Sequence, residues 1–113
     1  MNDSPPDRRR HARFPLGLPV GVRLAGRRTP LMVELLDVSE SGARFHALDG
    51  APDVNVADRA AFGFVVPGEP SCRAEGLVVR ADRSGRFAGH FVLALDDAND
   101  AFVGFIRLLE AES

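Results

Sequence analysis

The chain of 113 residues has no lysine, no tryptophan and no tyrosine, and one cysteine, Cys72. Without lysine there is no phosphate-loop lysine, no Schiff-base lysine and no kinase-type lysine. With one cysteine no internal disulfide can form, which suits a reducing compartment. His11, His46 and His90 are scattered along the chain, so no zinc-ligand spacing arises. No Gly-x-Ser-x-Gly elbow, Gly-x-Gly-x-x-Gly turn or phosphate loop is present. No apolar run approaches the roughly 20 residues of a membrane helix, and the polar N-terminus carries no apolar signal core. The expectation is a soluble, cytoplasmic protein, neither an enzyme nor inserted in a membrane.

What is present is ordinary in amount and uneven in placement. Hydrophobic residues make up 45% and charged residues 27%, enough for one domain with a core. All 14 basic residues are arginine, most simply a bias of base composition. Net charge is −2, which argues against a general polyanion binder. Arg8, Arg9, Arg10 and Arg13 face only Asp3 and Asp7 within residues 1–13, a local charge of 4 − 2 = +2. Residues 96–112 carry Asp96, Asp97, Asp100, Glu110 and Glu112 against Arg107, a local charge of 1 − 5 = −4. The two ends of the chain thus make distinct surfaces.

Hydrophobic periodicity predicts six short strands and one helix. Residues 1–7 read as a flexible terminus and 8–15 as an arm, with Pro15 and Pro19 enforcing an extended entry. Strands follow at Val20–Leu24, Leu31–Leu36, Ala43–Ala47, Ala60–Val66, Cys72–Ala81 and Phe87–Leu95, each with alternate apolar residues. In the fifth, a bulge at Gly76 would switch the inward set from Cys72 and Ala74 to Leu77, Val79 and Ala81. Asp37–Gly42 reads as a polar turn and 48–58 as a loop. Phe102, Phe105, Ile106 and Leu109 then recur with helical period over 97–111, with Asp97 or Asn99 as cap. Consecutive strands joined by short turns point to an antiparallel meander. Residues 18–95 avoid exposed edges by closing into a six-stranded antiparallel β-barrel, and the C-terminal α-helix covers one opening or packs on the side.

Several polar residues have ordinary structural explanations. Asp96 and Asp97 sit where a helix begins and are read as capping anions. His46 and His90 alternate outward, towards solvent. Cys72 reads as a small core filler. Two patterns remain, Arg9-x-x-x-Arg13 and Asp37-x-Ser39-x-x-Gly42. Alone, the first is a solvated tail, and the second a turn with Gly42 at positive φ and side chains bonded to local backbone.

In this order, with 24 positions from Arg13 to Asp37, the two patterns resemble the signature of the PilZ domain. The resemblance covers residues 8–110. It implies a receptor for the bacterial second messenger cyclic di-GMP, built on a mainly β, six-stranded barrel with a terminal helix. Only Arg9 and Arg13 fit the arm motif, because Arg8 would pair with Ala12 and Arg10 with Phe14. Arginine suits both phosphate and the guanine O6/N7 edge, and the Asp37 carboxylate suits the guanine N1–H and N2–H donors. Ser39 would add a polar contact, and Gly42 would permit close backbone approach. Arg8, Arg10 and Arg80 are weaker candidates: the resemblance implies that Arg8 or Arg10 could meet a second ligand molecule, and Arg80, on the outer face of the fifth strand, could reach the site. Lacking Trp and Tyr, the chain would stack guanine on an arginine plane. The implied ligand is cyclic di-GMP, with no cofactor and no metal, and the implied output is an altered surface for an unidentified effector protein. The competing expectations are a PilZ-like interaction domain without nucleotide and, less favoured, a nucleic-acid binder that uses the arm.

Overall fold

A computed structural model of the chain describes residues 13–47 and 53–112. Its elements are β1 (Phe14–Leu24), β2 (Leu31–Val38), β3 (Gly42–Ala47), β4 (Arg59–Phe64), β5 (Cys72–Ala81), β6 (His90–Ala98) and α1 (Asp100–Glu112). The strands close into one antiparallel barrel in the order β1-β2-β3-β6-β5-β4. It is not a single meander. β1-β2-β3 and β4-β5-β6 each run up and down, and the seams β3·β6 and β1·β4 join them. In the described stretch before β4, Val54 is buried.

Alternation fixes the core. Val33 and Leu35 of β2, Ala43, Phe45 and Ala47 of β3, Ala60, Phe62 and Phe64 of β4, and Phe91 and Leu93 of β6 all point inward. Phe45 sits at the centre, stacked on Phe91 with centroids 5.0 Å apart and edge-on to Phe62 at 5.0 Å. Truncating a ring packed in this way typically costs about 3–5 kcal/mol. Phe102 of α1 meets Phe62 and Phe64 edge-on, and Phe105 meets Phe64. The helix therefore covers the barrel end where β4 stops and β5 begins. Strand direction places the start of β1 and the β2–β3 turn at that same end.

The fifth strand departs from expectation. Cys72, Ala74, Gly76 and Val78 face in, while Leu77 and Val79 are exposed. Gly76 keeps the alternation because the extra residue opposite it lies on β6, at Asp96, between the pairs Glu75↔Asp97 and Gly76↔Leu95. Parity on β5 changes only at Val79, a bulge that returns Ala81 to the core side. β1 begins earlier than expected, at Phe14, β4 ends earlier, at Phe64, and β6 runs from His90 to Ala98 rather than from Phe87.

The helix starts at Asp100, not Asp97, and Asn99 is its cap. Asn99 Oδ1 accepts from the backbone N–H of Phe102 and of Arg73, both at 3.0 Å, and its Nδ2 donates to the Ser71 carbonyl at 2.9 Å. The same side chain thus caps α1 and ties it to β5. The Asp96-Asp97 pair is not the cap. Asp96 Oδ2 and Oδ1 accept from Arg59 Nη1 and Nη2 at 2.7 and 2.8 Å, and Glu75 takes the same guanidinium at 2.6 Å. The bond from Arg59 holds the Asp96 carboxyl below its usual range.

Three expected outcomes test this packing. A Cβ on Gly76 would lie 1.9 Å from the Ala94 carbonyl oxygen, so Gly76→Ala must force β5 from β6 and lose at least about 3 kcal/mol in urea unfolding. Gly104→Ala, on the exposed helix face with nothing within 4 Å of the added atom, gains about 0.5–1 kcal/mol in the same measurement. Asn99→Ala loses about 1–2 kcal/mol, read by the same unfolding curves.

Candidate functional site

Asp37 lies within β2 rather than in the turn that follows. Across the β2·β3 ladder Leu35 faces Phe45 and Asp37 faces Arg44, which leaves Leu36 as an inserted residue. Regular alternation after Val33 and Leu35 would have driven Asp37 into the core. The bulge turns it outward and brings Val38 in, fully buried. A matching irregularity on β1 between Pro15 and Leu18 contains Gly17 at φ 65° and keeps Pro15 opposite Asp37.

The Asp37 side chain is 13% exposed, so its charge needs partners. It has them on both flanks. Arg44 Nε and Nη2 both approach Oδ2, at 2.9 and 2.8 Å. Arg13, at the head of β1, places Nη1 3.8 Å from Oδ1. The two sequence patterns therefore meet at one carboxylate. Arg44 is the residue that sequence reasoning missed. Its outward position on β3 was legible from the alternation around Ala43 and Phe45, but its pairing with Asp37 depends on the Leu36 bulge.

Ser39 is buried and works inside the turn. Its N–H donates to the Gly42 carbonyl at 2.8 Å, and its Oγ accepts from the N–H of Gly42 at 3.1 Å and of Ser41 at 3.3 Å. Gly42 does not have a positive φ. It is favoured by proximity, because a Cβ there would stand 3.3 Å from the Leu93 carbonyl oxygen of β6, a tight contact. The turn is thus pinned from within by Ser39 and seated against β6 through Gly42. Ser41 O accepts from Leu95 N at 2.9 Å as a further tie.

The outward row containing Asp37 continues around the barrel through the paired positions Arg44, Val92 and Arg80. Arg80 is exposed and bonds Asp82 at 3.1 Å. Between Arg44 and Arg80 lies a cleft of about 100 Å³ lined also by Asp82, Phe87, His90 and Val92. Phe87 and His90 thus supply ring surface in a chain without Trp or Tyr. His46 and His90 are half-buried rather than turned freely to solvent, with ring centroids 4.5 Å apart. Burial first, then the neighbouring His46 and Arg44, lowers the His90 pKa. Cys72 is buried, as a core filler should be, and desolvation raises its thiol pKa.

Arg8, Arg9 and Arg10 lie outside the described residues, as does His11. Of the expected site residues, the structure brings Arg13, Asp37, Ser39 and Gly42 to one end of the barrel, with Arg80 further along the same row. Among the described residues no group of three or more His, Cys, Asp or Glu side chains is placed to hold a metal ion. No helix among them is long and apolar enough to cross a membrane.

Comparison with known proteins agrees with this architecture. No curated protein matches the chain. The family model described as PilZ domain matches residues 7–108, which span both sequence patterns, all six strands and most of α1. The chain belongs to the PilZ domain family.

Proposed function

We propose that this chain is a cyclic di-GMP receptor whose arm, residues 8–15, closes over ligand held against the outer face of β2 and β3. PilZ domains form a family of cyclic di-GMP receptors and adaptors, and membership supports the ligand class. The observation that carries the reading for this chain is the meeting of Arg13 and Asp37, 24 positions apart in sequence and 3.8 Å apart in space. A cation and a carboxylate side by side match the ligand, whose phosphates and guanine O6/N7 edges seek donors and whose guanine N1–H and N2–H seek an acceptor.

In this reading Arg9 and Arg13 grip phosphate and guanine, and Asp37 accepts from the guanine edge. Ser39 acts chiefly by holding the turn in shape, and Gly42 by letting that turn lie close to β6. Arg8 and Arg10 extend the cationic arm, and Arg80 with its cleft offers room for contacts beyond the first guanine. Net, a charge-assisted hydrogen bond contributes about 1.5–3 kcal/mol. Three or four, less the cost of ordering the arm, give roughly 8 kcal/mol and a Kd near or below about 1 μM.

The output follows from position. Closure of the arm changes the barrel end that also carries α1, with its acidic residues Asp100, Glu110 and Glu112. An effector protein that reads this end would sense the ligand without any chemical step by the receptor.

Isothermal titration with cyclic di-GMP tests the reading. The parent protein is expected to bind with Kd near or below about 1 μM, and Arg13→Ala and Asp37→Ala to weaken binding at least about ten-fold while remaining folded. No binding by folded parent at about 100 μM ligand, a level that would detect even an affinity near 5 kcal/mol, overturns it and leaves a PilZ-like interaction domain. Equal binding by both variants overturns the site. Binding to any DNA or RNA with steep salt dependence would instead favour the nucleic-acid reading.

A further inference from the structure

We propose that Arg44 is a positioning residue for guanine, setting selectivity for cyclic di-GMP by fixing the plane of the Asp37 carboxylate; this rests on the cyclic di-GMP reading above. The two bonds from Arg44, at 2.9 and 2.8 Å, both end on Oδ2. Two donors from one rigid guanidinium on one oxygen fix the carboxylate in direction as well as in place. Oδ1 faces Arg13 at 3.8 Å, beyond hydrogen-bond length, and among the described residues it is the oxygen left to a ligand donor when Arg13 turns to the ligand. Arg44 is itself held. It lies on a strand paired on both sides, opposite Asp37 on β2 and Val92 on β6.

The consequence for recognition is specific. Guanine offers N1–H and N2–H side by side, and Oδ1, the oxygen that Arg44 does not occupy, accepts from that edge only when the carboxylate is aimed at it. Adenine has no N1–H and no 2-amino group; its N1 is an acceptor and is repelled by a fixed carboxylate. A freely rotating Asp37 would have to be ordered by guanine at binding, whereas an Asp37 fixed beforehand is not. Arg44 also offsets the Asp37 charge beside a ligand with two phosphates, but that effect is the same for both nucleotides. Only the fixed plane distinguishes them. The structural role of the ion pair, joining β2 to β3 at the bulge, affects folding and not the ratio of affinities.

Titrations of the full chain with cyclic di-GMP and cyclic di-AMP, for the parent, Arg44→Gln and Arg44→Lys, test the inference, with thermal unfolding to confirm folded protein. Arg44→Gln is expected to weaken cyclic di-GMP about ten-fold, the loss typical of a charge-assisted hydrogen bond. Cyclic di-AMP, which loses only the charge offset and gains nothing from the fixed carboxylate, should weaken by less, so the selectivity ratio falls. Arg44→Lys, with charge but no planar fork, should lower the ratio in the same direction by less. If Arg44→Gln does not fold, Arg44→Lys carries the comparison. An unchanged ratio overturns the inference, whether both affinities hold or fall together. A gain in cyclic di-GMP affinity also overturns it, making Arg44 a competitor for Asp37. No binding of either nucleotide by the parent overturns the nucleotide reading itself and this inference with it.

Discussion

Closure of the barrel is the constraint on which the other features depend. Six strands joined edge to edge leave no free ladder among them, so each strand residue faces either the core or the outer surface. A side chain changes sides only where an extra residue enters one strand of a pair. The ladders are irregular at Leu36, between Pro15 and Leu18, at Val79 and at Asp96. The first two turn Asp37 outward and align β1 beside it. Val79 restores Ala81 to the core side, and the shift at Asp96 places its carboxylate on Arg59. Most of the departures from simple alternation thus settle where a charged group stands.

The second consequence is electrostatic. A carboxylate as covered as Asp37 is costly unless cations and donors answer it. Arg44 answers closely and Arg13 loosely, from opposite flanks. That asymmetry matters for a binding site, because a loosely held cation can exchange its partner for a ligand while the tightly held one keeps the acceptor in place. The turn behind them is stiffened by Ser39, whose hydroxyl accepts from the backbone N–H of Ser41 and of Gly42.

The chain also gathers its distinctive elements at one end. By strand direction the head of β1 and the turn at 39–41 lie toward the same barrel end that α1 covers, although Phe14 and Asp100 are 100 − 14 = 86 positions apart in sequence. Asn99 fastens the helix to β5 at that end, and Phe102 and Phe105 seat it on Phe62 and Phe64.

Much of this was legible in the residues themselves. Period-2 alternation placed the six strands, and the helical stripe placed α1, because apolar side chains must leave water whatever the topology. The arm and turn patterns marked Arg13, Asp37, Ser39 and Gly42 as belonging together. Sequence alone did not reveal the Leu36 bulge, since an inserted residue shows only against the partner strand that it fails to match. For the same reason it left Asp37 in a turn, missed Arg44, and put the β5 parity change at Gly76 rather than Val79. It named Asp96 and Asp97 as capping anions without knowing that Arg59, 37 positions before Asp96, would claim the first of them. The sequence determined which side chains prefer the core and which chemistry the site contains, because hydrophobicity and charge are properties of single residues. Only the tertiary structure decided where the Asp37 carboxylate points and which arginine holds it, because register and ion pairing are properties of strands brought together.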